Sequence, residues 1–485
     1  MIRLGLSGCG PHPWPSVERT RRFYLRALGS ELDLEHAGEG PEGWFDTLPD
    51  AMLNFAGPHC WERLSPHPPC PLLFALHGGP VLDRDHLRAH AGRLETTDVL
   101  IVNCSSDIPL LRGMFAGPAP RFCHLPLPVD PAVFRPLGRR ECREELPLER
   151  TDFVVGFVAR LLPQKNLHQL LRLVAALKRR LHPRTVSALV IGNYWLDYPV
   201  LPYTTTEYPG RIGALLAELG LREDVAYFTA GLDDDQLALC YGAMDLLIHP
   251  TSSLDENFGY APVEAMACGT PVLGTAYGGL KDTVVSGETG FLMPTWTTDS
   301  GIRMDLLRGT DEAVRILLDG ELRERMGEAG ARRALEAYSF EACASVLRGA
   351  VMEAVAARRA DGARPLAPTS FGPDPPESGL LPPVQPPWEH YRGAADVYVS
   401  GPPPSPGPGR RFQVAAPLLP EDGGFRLDDP AWPARFALAG PDLEIARLCR
   451  EEVSWEQLAE AGLADAERLG RLIASGLLLA TGGEP

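Results

Sequence analysis

Five short apolar runs, separated by helical segments, constrain the fold of the central part of this chain. They are rich in Val, Leu, Ile and Phe and lie at 153–158, 188–192, 225–229, 246–249 and 271–274. Continuous apolar runs of this length are typical of parallel strands that are buried on both faces of a sheet. The intervening apolar spacing predicts helices over 166–181, 211–219 and 236–244. Strands that alternate with helices predict a doubly wound α/β domain.

The N-terminal part of the chain shows the same alternation. Its apolar segments predict strands at 2–7, 32–34, 52–56, 72–76 and 99–103, with helices at 16–28, 84–94 and 108–115. We therefore predict an α/β fold with two doubly wound Rossmann-like domains, 1–138 and 150–359, and a cleft between them. The charged run 139–150 is interpreted as a linker.

The part of the chain that follows residue 360 is unusually rich in proline. Fourteen of the 50 residues from Asp361 to Arg410 are proline, far above the average of about 5%. This composition predicts a Pro-rich linker over 360–425 that forms no packed core. An apolar pattern returns in 426–485, where Ser454 and Gln457 are spaced for a capping box and three short helices are predicted. We expect this part to be a small helical, winged-helix-like module.

Composition excludes several classes of function. A net charge of −17 argues against a nucleic-acid partner, because such partners require phosphate neutralisation. No apolar run reaches the roughly 18 residues of a membrane span, although peripheral membrane contact stays open. The start of the chain lacks a signal-peptide pattern, and the ten cysteines form no Cys-x-x-Cys pair, so we expect a cytoplasmic protein with reduced thiols. Zinc-protease, Walker and nucleophile-elbow motifs are missing, which predicts no metal and no cofactor.

The most specific chemistry lies in a stretch with two glutamates. Glu256 and Glu264 stand eight residues apart, and Pro262 and Gly269 suit the start and end of a helix. The spacing predicts a helix over 261–268, with Glu256 on the preceding loop and Glu264 in the first turn.

The loop ahead of this helix suits a phosphorylated ligand that is rich in hydroxyls. The N–H groups and positive dipole end of a helix attract phosphate, and carboxylates accept hydrogen bonds from hydroxyls. Together these groups predict a nucleotide diphosphate sugar as the ligand. Five further residues of this stretch are expected to line the same site: Asn257, Phe258, Gly259, Tyr260 and Ala261.

Two cations follow the strand predicted at 153–158. Arg160 and Lys165 can neutralise a diphosphate leaving group without a metal, or they can be ordinary exposed cations. The chain contains only three lysines against 43 arginines, so a lysine at a strand end favours a role as a compact point charge. Lys281 is expected to be a solvated loop lysine.

The first domain offers its own polar groups at strand ends, where open α/β sheets bind ligands. Gly8 and Gly10 follow the first predicted strand and are expected to contact the nucleotide sugar, and His77 follows the fourth. His77 can equally be a satisfied turn residue. An aromatic loop, Tyr194 to Tyr208, is expected to line the cleft or to pack against its own domain.

Taken together, these motifs resemble the retaining family 4 glycosyltransferases of GT-B fold. The resemblance rests on Arg160–Asn166, Asp245–Pro250, the Glu256-to-Glu264 spacing and Gly278–Asp282, and it is close over about 150–350. It implies that Glu256 contacts the donor sugar and Glu264 the ribose. It also implies that Arg160 and Lys165 bind the diphosphate and that His77 lies near the donor sugar.

The resemblance implies an enzyme that transfers a hexose from a nucleotide diphosphate sugar with retention of configuration. The acceptor is a hydroxyl of an unknown glycan, lipid, small molecule or peptide. Two alternatives stay open: another GT-B enzyme, such as an epimerase or a phosphorylase, and a non-catalytic sugar-nucleotide-binding adaptor. The C-terminal pattern resembles PqqD-type peptide-recognition winged helices, and a dimerisation element is the alternative.

Overall fold

The structure, a computed structural model, describes residues 2–36, 48–55, 67–83, 87, 89–146, 148, 151–194, 207–229, 231–253, 256–366, 393 and 395–481. Most of the aromatic loop, and the proline-rich residues 367–392, therefore lie outside the described residues. The chain forms two compact units. Unit 1 comprises Met1–Pro131, Asp255–Tyr260 and Arg333–Leu381, and unit 2 comprises Ala132–Leu254, Ala261–Arg332 and Pro382–Pro485.

Unit 1 contains a six-stranded sheet in the order β2-β1-β3-β4-β5-β6, and all neighbouring strands are parallel. The strands are β1 (Arg3–Ser7), β2 (Asp33–His36), β3 (Ala51–Asn54), β4 (Leu72–Ala75), β5 (Val99–Val102) and β6 (Arg121–His124). The five predicted strands are confirmed. The sequence did not reveal β6, because this edge strand reads Arg-Phe-Cys-His and is only partly buried.

The helices of unit 1 cover this sheet. They are α1 (Pro15–Gly29), α2 (Gly79–Leu82), α3 (Asp107–Arg112) and α12 (Phe340–Asp361). The last of these was placed with the second domain from the sequence, but it packs against α1. The ring of Phe340 meets that of Phe23 edge-on at 5.8 Å, and the Arg26 guanidinium lies 4.2 Å above Phe340. These contacts explain why the chain returns to unit 1 after crossing unit 2.

Unit 2 contains a second parallel sheet, in the order β12-β11-β10-β7-β8-β9. Its strands are β7 (Phe153–Val158), β8 (Val186–Ile191), β9 (Val225–Phe228), β10 (Leu246–His249), β11 (Val272–Thr275) and β12 (Gly290–Met293). The central strands are buried on both faces, as their continuous apolar sequences predict. Two doubly wound α/β sheets in one chain confirm the predicted fold class.

The central part of the chain also supplies eight helices among the described residues. They are α4 (Arg139–Glu145), α5 (Leu167–Leu181), α6 (Glu207–Glu218), α7 (Asp234–Ala243), α8 (Tyr260–Ala267), α9 (Leu280–Thr283), α10 (Leu306–Leu318) and α11 (Gly320–Ala337). The residues interpreted as a charged linker thus include a helix, α4. It is fixed to unit 2 because Arg143 donates to the carbonyl of Ala243 and pairs with the buried carboxylate of Asp245.

Residues 295–304 and the C-terminal residues form small antiparallel sheets, and the C-terminal residues also form three helices, all within unit 2. The strands are β13 (Thr295–Thr298), β14 (Gly301–Met304), β15 (Arg411–Val414), β16 (Leu418–Glu421), β17 (Gly424–Leu427), β18 (Ala434–Phe436), β19 (Val453–Ser454) and β20 (Leu478–Ala480). The helices are α13 (Gly440–Leu448), α14 (Trp455–Glu460) and α15 (Ala466–Ala474). We call residues 395–481 the C-terminal segment.

Several sequence predictions for this segment can be compared with its structure. The capping box of Ser454 and Gln457 is confirmed. Strands β15 and β16 lie inside the predicted linker, because alternating apolar residues at Phe412 and Val414 bury a face against the helices. The winged-helix-like assignment stays a prediction. Among the described residues, no helix is long and apolar enough to cross a membrane.

Candidate functional site

The sheet of unit 2 has a topological switch point between β7 and β10. From β7 the chain proceeds to β8 and β9 on one side, and it then returns to β10, β11 and β12 on the other. Open α/β sheets bind ligands outside the carboxyl ends of the strands at such a point. The loop 159–166 after β7 and the loop 250–253 after β10 are therefore the candidate ligand-binding loops of unit 2.

The loop after β7 carries the two predicted cations. Arg160 is half-buried, and Lys165 is only 6% exposed at the end of a short 3-10 turn, Pro163–Lys165. The interpretation of Lys165 as an ordinary exposed cation is therefore wrong. A buried ammonium group requires compensating partners.

Asn166 joins the two loops of the switch point. Its backbone is in the left-handed region at φ 62°, and its side-chain amide lies 2.8 Å from the carbonyl oxygen of Pro250 and 2.9 Å from Oγ of Ser252. The N–H of Ser252 in turn donates to the carbonyl of Gln164 over 2.9 Å. Asn166 and Ser252 are both almost completely buried. The two loops are thus cross-linked into one rigid piece.

The helix predicted around Glu264 is confirmed as α8, and Gly269 ends it with φ at +78°. The helix begins one residue early, at Tyr260, because Gly259 makes the preceding left-handed turn at φ +82°. Glu264 consequently lies in the second turn, and its predicted place in the first turn is wrong. Its carboxylate is buried, and Oε2 accepts a 2.9 Å hydrogen bond from the hydroxyl of Tyr241.

Lys281 is not a solvated loop lysine. It lies in α9, and its ammonium group donates to the carbonyl oxygens of Val397 and Val399, both over 3.1 Å. The sequence could not reveal these partners, because they lie more than a hundred residues further along the chain.

The sheet of unit 1 has its own switch point, between β1 and β3. Gly8 follows β1 with φ +69°, and Gly10 is exposed with no atom within 4 Å of the position that a Cβ would occupy. The carbonyl of Cys9 accepts a 3.2 Å hydrogen bond from Arg21, which Glu18 holds in place at 2.7 Å. Helix α1 therefore anchors this loop while the glycine edge stays open.

His77 follows β4 and contacts the adjacent strand end. Its Nε2 lies 2.7 Å from the carbonyl oxygen of Phe55, so this nitrogen carries the proton and donates. Burial lowers the pKa of the ring to about 4, even though the hydrogen bond to Phe55 favours the cation. His77 is therefore neutral near pH 7, and it is satisfied in the way the turn interpretation requires.

Residues 256–260 of the glutamate stretch belong to unit 1 and contact His77 there. The amide of Asn257 donates to the carbonyl of His77 over 2.9 Å, which brings two predicted site residues together. The ring of Phe258 is buried against Tyr338, and the hydroxyl of Tyr260 lies 3.0 Å from Oγ1 of Thr20. These three side chains hold the stretch in place.

Other positions in this stretch differ in their accessibility. Glu256 is 6% exposed, whereas Gly259, Tyr260 and Ala261 are half-buried.

Within the part of the chain that the structure describes, no group of His, Cys, Asp and Glu side chains has the arrangement of a metal site.

Sequence reasoning missed two residues that organise the site. Ser252 carries no distinctive signal in a Thr-Ser-Ser run. Asn166 does carry one, because asparagine directly before a helix is among the few residues that adopt the left-handed conformation readily.

Two doubly wound parallel sheets with polar groups at their switch points define the GT-B class of protein. Within it, residues 138–333 match the family model described as Glycosyl transferases group 1. The resemblance that the motifs indicated is thereby confirmed.

Individual relatives agree with this assignment. The chain is 31% identical over 281 residues to a D-inositol 3-phosphate glycosyltransferase of Corynebacterium efficiens. The aligned region covers 56% of this chain and 62% of that relative. The chain thus spans less than two thirds of the length of that curated relative.

Two solved structures share the fold. Sucrose-phosphate synthase (tll1590) from Thermosynechococcus elongatus superposes with a TM-score of 0.57 at 21% identity, over 74% of this chain and 100% of that one. Anabaena Alr3699/HepE in complex with UDP superposes with a TM-score of 0.53 at 19% identity, over 73% of this chain and 100% of that one.

Proposed function

We propose that this protein is a glycosyltransferase that moves a hexose from a nucleotide diphosphate sugar to a hydroxyl acceptor with retention of configuration and without a metal. One observation carries the proposal. A buried lysine, Lys165, lies on a loop that Asn166 fixes to the neighbouring strand end, at the switch point of a group 1 glycosyltransferase domain.

The residues of unit 2 bind the nucleotide part of the donor in this proposal. Arg160 and Lys165 neutralise the diphosphate, which gains negative charge as it departs. Glu264 accepts hydrogen bonds from the ribose hydroxyls. The hydroxyl of Tyr241 holds the Glu264 carboxylate in one orientation, so little side-chain entropy is lost when the ribose binds.

The residues of unit 1 contact the transferred sugar. Glu256 accepts hydrogen bonds from the sugar hydroxyls, and these bonds strengthen as positive charge develops at the anomeric carbon. His77 is neutral and fixed by Phe55, so it supplies a hydrogen-bonding group without adding a charge near that carbon.

The chemical step exchanges two bonds at the anomeric carbon. The bond from this carbon to the diphosphate oxygen breaks, and a bond to the acceptor oxygen forms on the same face. The departing diphosphate oxygen keeps both electrons of the broken bond. The proton of the acceptor hydroxyl passes to this diphosphate. Arg160 and Lys165 stabilise the developing charge electrostatically, so the protein supplies the cations that a metal supplies elsewhere.

The printed name of the curated relative offers one acceptor to test. Because that relative is called a D-inositol 3-phosphate glycosyltransferase, we propose a phosphorylated cyclitol as the first acceptor to assay. The exposed loop at Gly8–Gly10 of unit 1 is the proposed place of this acceptor.

The decisive assay follows release of nucleoside diphosphate from a panel of UDP-, GDP- and ADP-sugars, with and without inositol 3-phosphate. A transferase releases the diphosphate slowly alone and faster with an acceptor. An adaptor binds a nucleotide sugar without release, an epimerase changes the sugar without release, and a phosphorylase requires inorganic phosphate. Any of these three results contradicts the proposal.

A further inference from the structure

A turn of the C-terminal segment, residues 428–432 between β17 and β18, contacts the candidate nucleotide site of unit 2. Its sequence is Asp-Asp-Pro-Ala-Trp. The Asp429 carboxylate accepts hydrogen bonds from the backbone N–H groups of Ala431 at 2.9 Å and Trp432 at 3.2 Å. This local bonding fixes the backbone that carries the Trp432 ring.

A hydrogen bond and an ion pair attach this turn to α5, the helix that starts directly after Asn166, and to α6. Nε2 of the buried His168 donates to Asp429 over 3.2 Å, and Arg211 pairs with the carboxylate of Asp428. Burial alone would raise the pKa of Asp429, but the His168 hydrogen bond and nearby positive charges hold it below its usual range. Asp429 is thus a buried anion with a defined partner.

The indole of Trp432 reaches the cross-link between the two switch-point loops. Its Nε1–H donates to Oγ of Ser252 over 3.0 Å, and the amide of Asn166 lies 2.9 Å from the same oxygen. Ser252 is fully buried, so solvent has no access to this oxygen to replace a lost donor. One hydroxyl therefore connects the C-terminal segment with the loop that carries Lys165.

The ring has little freedom to move away from this position. A Cβ placed on Gly301, the first residue of β14, would come within 2.7 Å of the Trp432 ring. Gly301 also has φ +126°, which other residues rarely adopt. Because Gly301 has no side chain, the indole of Trp432 can pack directly against it while the indole N–H donates to Ser252.

A second attachment lies at the next strand end of the same sheet. The N–H of Gly278, in the loop after β11, donates to the carbonyl of Tyr398 over 3.0 Å, and the two carbonyls that hold Lys281 flank this residue. The C-terminal segment therefore contacts the loops after both β10 and β11, at the edge of the sheet where the nucleotide is proposed to bind.

We propose that the C-terminal segment contributes to nucleotide binding, and that Trp432 is the residue of this segment that positions the nucleotide-binding loops. Trp432 holds the hydroxyl of Ser252, Ser252 holds Asn166, and Asn166 fixes the loop that presents Lys165 to the diphosphate. This inference rests on the proposed function, because it concerns binding of the same nucleotide. It adds a segment outside residues 138–333, the part of the chain that matches the family model.

The test uses the full chain and removes one hydrogen-bond donor. Trp432→Phe keeps an aromatic ring but deletes the N–H that reaches Ser252. Loss of a buried hydrogen bond that sets loop geometry is expected to weaken nucleoside diphosphate binding about tenfold. The probes are UDP, GDP and ADP, titrated calorimetrically into the wild type and the variant.

Trp296→Phe is the matched control. Trp296 lies in β13, is 1% exposed and packs against the core of the C-terminal segment, and its Nε1 has no hydrogen-bond partner among the described residues. Both variants shrink a packed indole, so both lower the thermal unfolding midpoint. Only Trp432→Phe is expected to weaken nucleotide binding. Equal affinity of the two variants for the nucleotide overturns the inference.

A double-mutant cycle tests the route through Ser252. In a Ser252→Ala background the acceptor oxygen is gone, so Trp432→Phe is expected to cause less than a twofold further loss of affinity. A further tenfold loss would show that Trp432 acts by another route and overturn the inference. A wild-type protein that binds none of the three nucleotides contradicts the proposed function itself, and the inference falls with it.

Discussion

The two sheets are both parallel and doubly wound, but their strand orders differ and so do the loops at their switch points. In unit 2, Asn166 and Ser252 join the loops after β7 and β10, and the C-terminal segment adds a further bond through Trp432. In unit 1, Gly10 lies exposed in the loop after β1, and α1 holds this loop through the carbonyl of Cys9, which accepts from Arg21, and the N–H of His12, which donates to Glu18.

This difference indicates a division of labour. A cross-linked, buried loop pair holds charges in a fixed geometry, which suits a diphosphate whose shape is the same for every donor. An open glycine edge adapts more easily to a variable group, which suits an acceptor. We therefore propose that the cross-linked loops of unit 2 bind the diphosphate, and that the open glycine edge of unit 1 selects the acceptor.

Removing the buried lysine should have the largest effect. Lys165→Met keeps the length and apolar stem of the side chain but deletes the charge, and it should lower turnover by about 10² to 10³, as for one lost charge-stabilising group. Lys178→Met is the control, because Lys178 pairs with Asp224 at the surface and should change turnover less than about twofold. Circular dichroism checks that both variants are folded. Near-normal turnover in Lys165→Met would remove the lysine from the proposed mechanism.

The neutral His77 makes unit 1 sensitive to acid. Its pKa is about 4 in the folded protein and about 6.5 when unfolded, so the unfolded chain binds the proton more tightly. The stability it contributes is complete above pH 6.5 and is lost as the pH falls toward 4, by roughly 3 kcal/mol at most. The thermal midpoint of His77→Gln should therefore fall less than that of the wild type between pH 7 and 4.5. Parallel curves would contradict the neutral assignment.

The two glutamates should separate binding from turnover. Glu264→Gln is expected to weaken binding of the free nucleoside diphosphate by roughly 1–3 kcal/mol, because a charged hydrogen-bond acceptor for the ribose is lost. Glu256→Gln should leave this affinity almost unchanged and lower turnover, since its contacts strengthen in the transition state. Calorimetry and kinetics on both variants provide the comparison. Equal losses of nucleotide affinity would show that the glutamates act as one structural group.

Chelation should have the smallest effect. Since Arg160 and Lys165 supply the positive charge at the diphosphate, EDTA is expected to leave activity within about twofold. A reaction that EDTA abolishes, and that Mg²⁺ or Mn²⁺ restores, would show that the diphosphate needs a metal bridge. The nucleoside diphosphate release assay provides this measurement directly.

Local sequence patterns were sufficient for most strands and helices of the two parallel sheets. The continuous apolar run of β7 and the Pro262-to-Gly269 spacing each determine local structure within a few residues, so they are readable from one sequence. The burial of Lys165 could not be read in this way, because it depends on a loop after β10 that lies some 85 residues away.

Long-range contacts account for the remaining errors. Lys281 looks like a loop lysine until Val397 and Val399 are placed beside it, and Phe340 belongs to unit 1 only because its ring meets Phe23. Edge strand β6 and the early strand β15 carry mixed polar sequences, which a hydrophobic pattern does not distinguish from loops. Pairing across the chain, and not local propensity, decides such elements.

The most direct test of the division of labour is amide hydrogen exchange with and without a bound nucleoside diphosphate. UDP, GDP or ADP, whichever the calorimetric titrations select, should slow exchange in residues 159–166, 250–253 and 261–267 of unit 2. Exchange in the Gly8–Gly10 loop of unit 1 should stay unchanged, because that loop is assigned to the acceptor. Protection at Gly8–Gly10, with no change in the three segments of unit 2, would contradict the assignment of the nucleotide to unit 2.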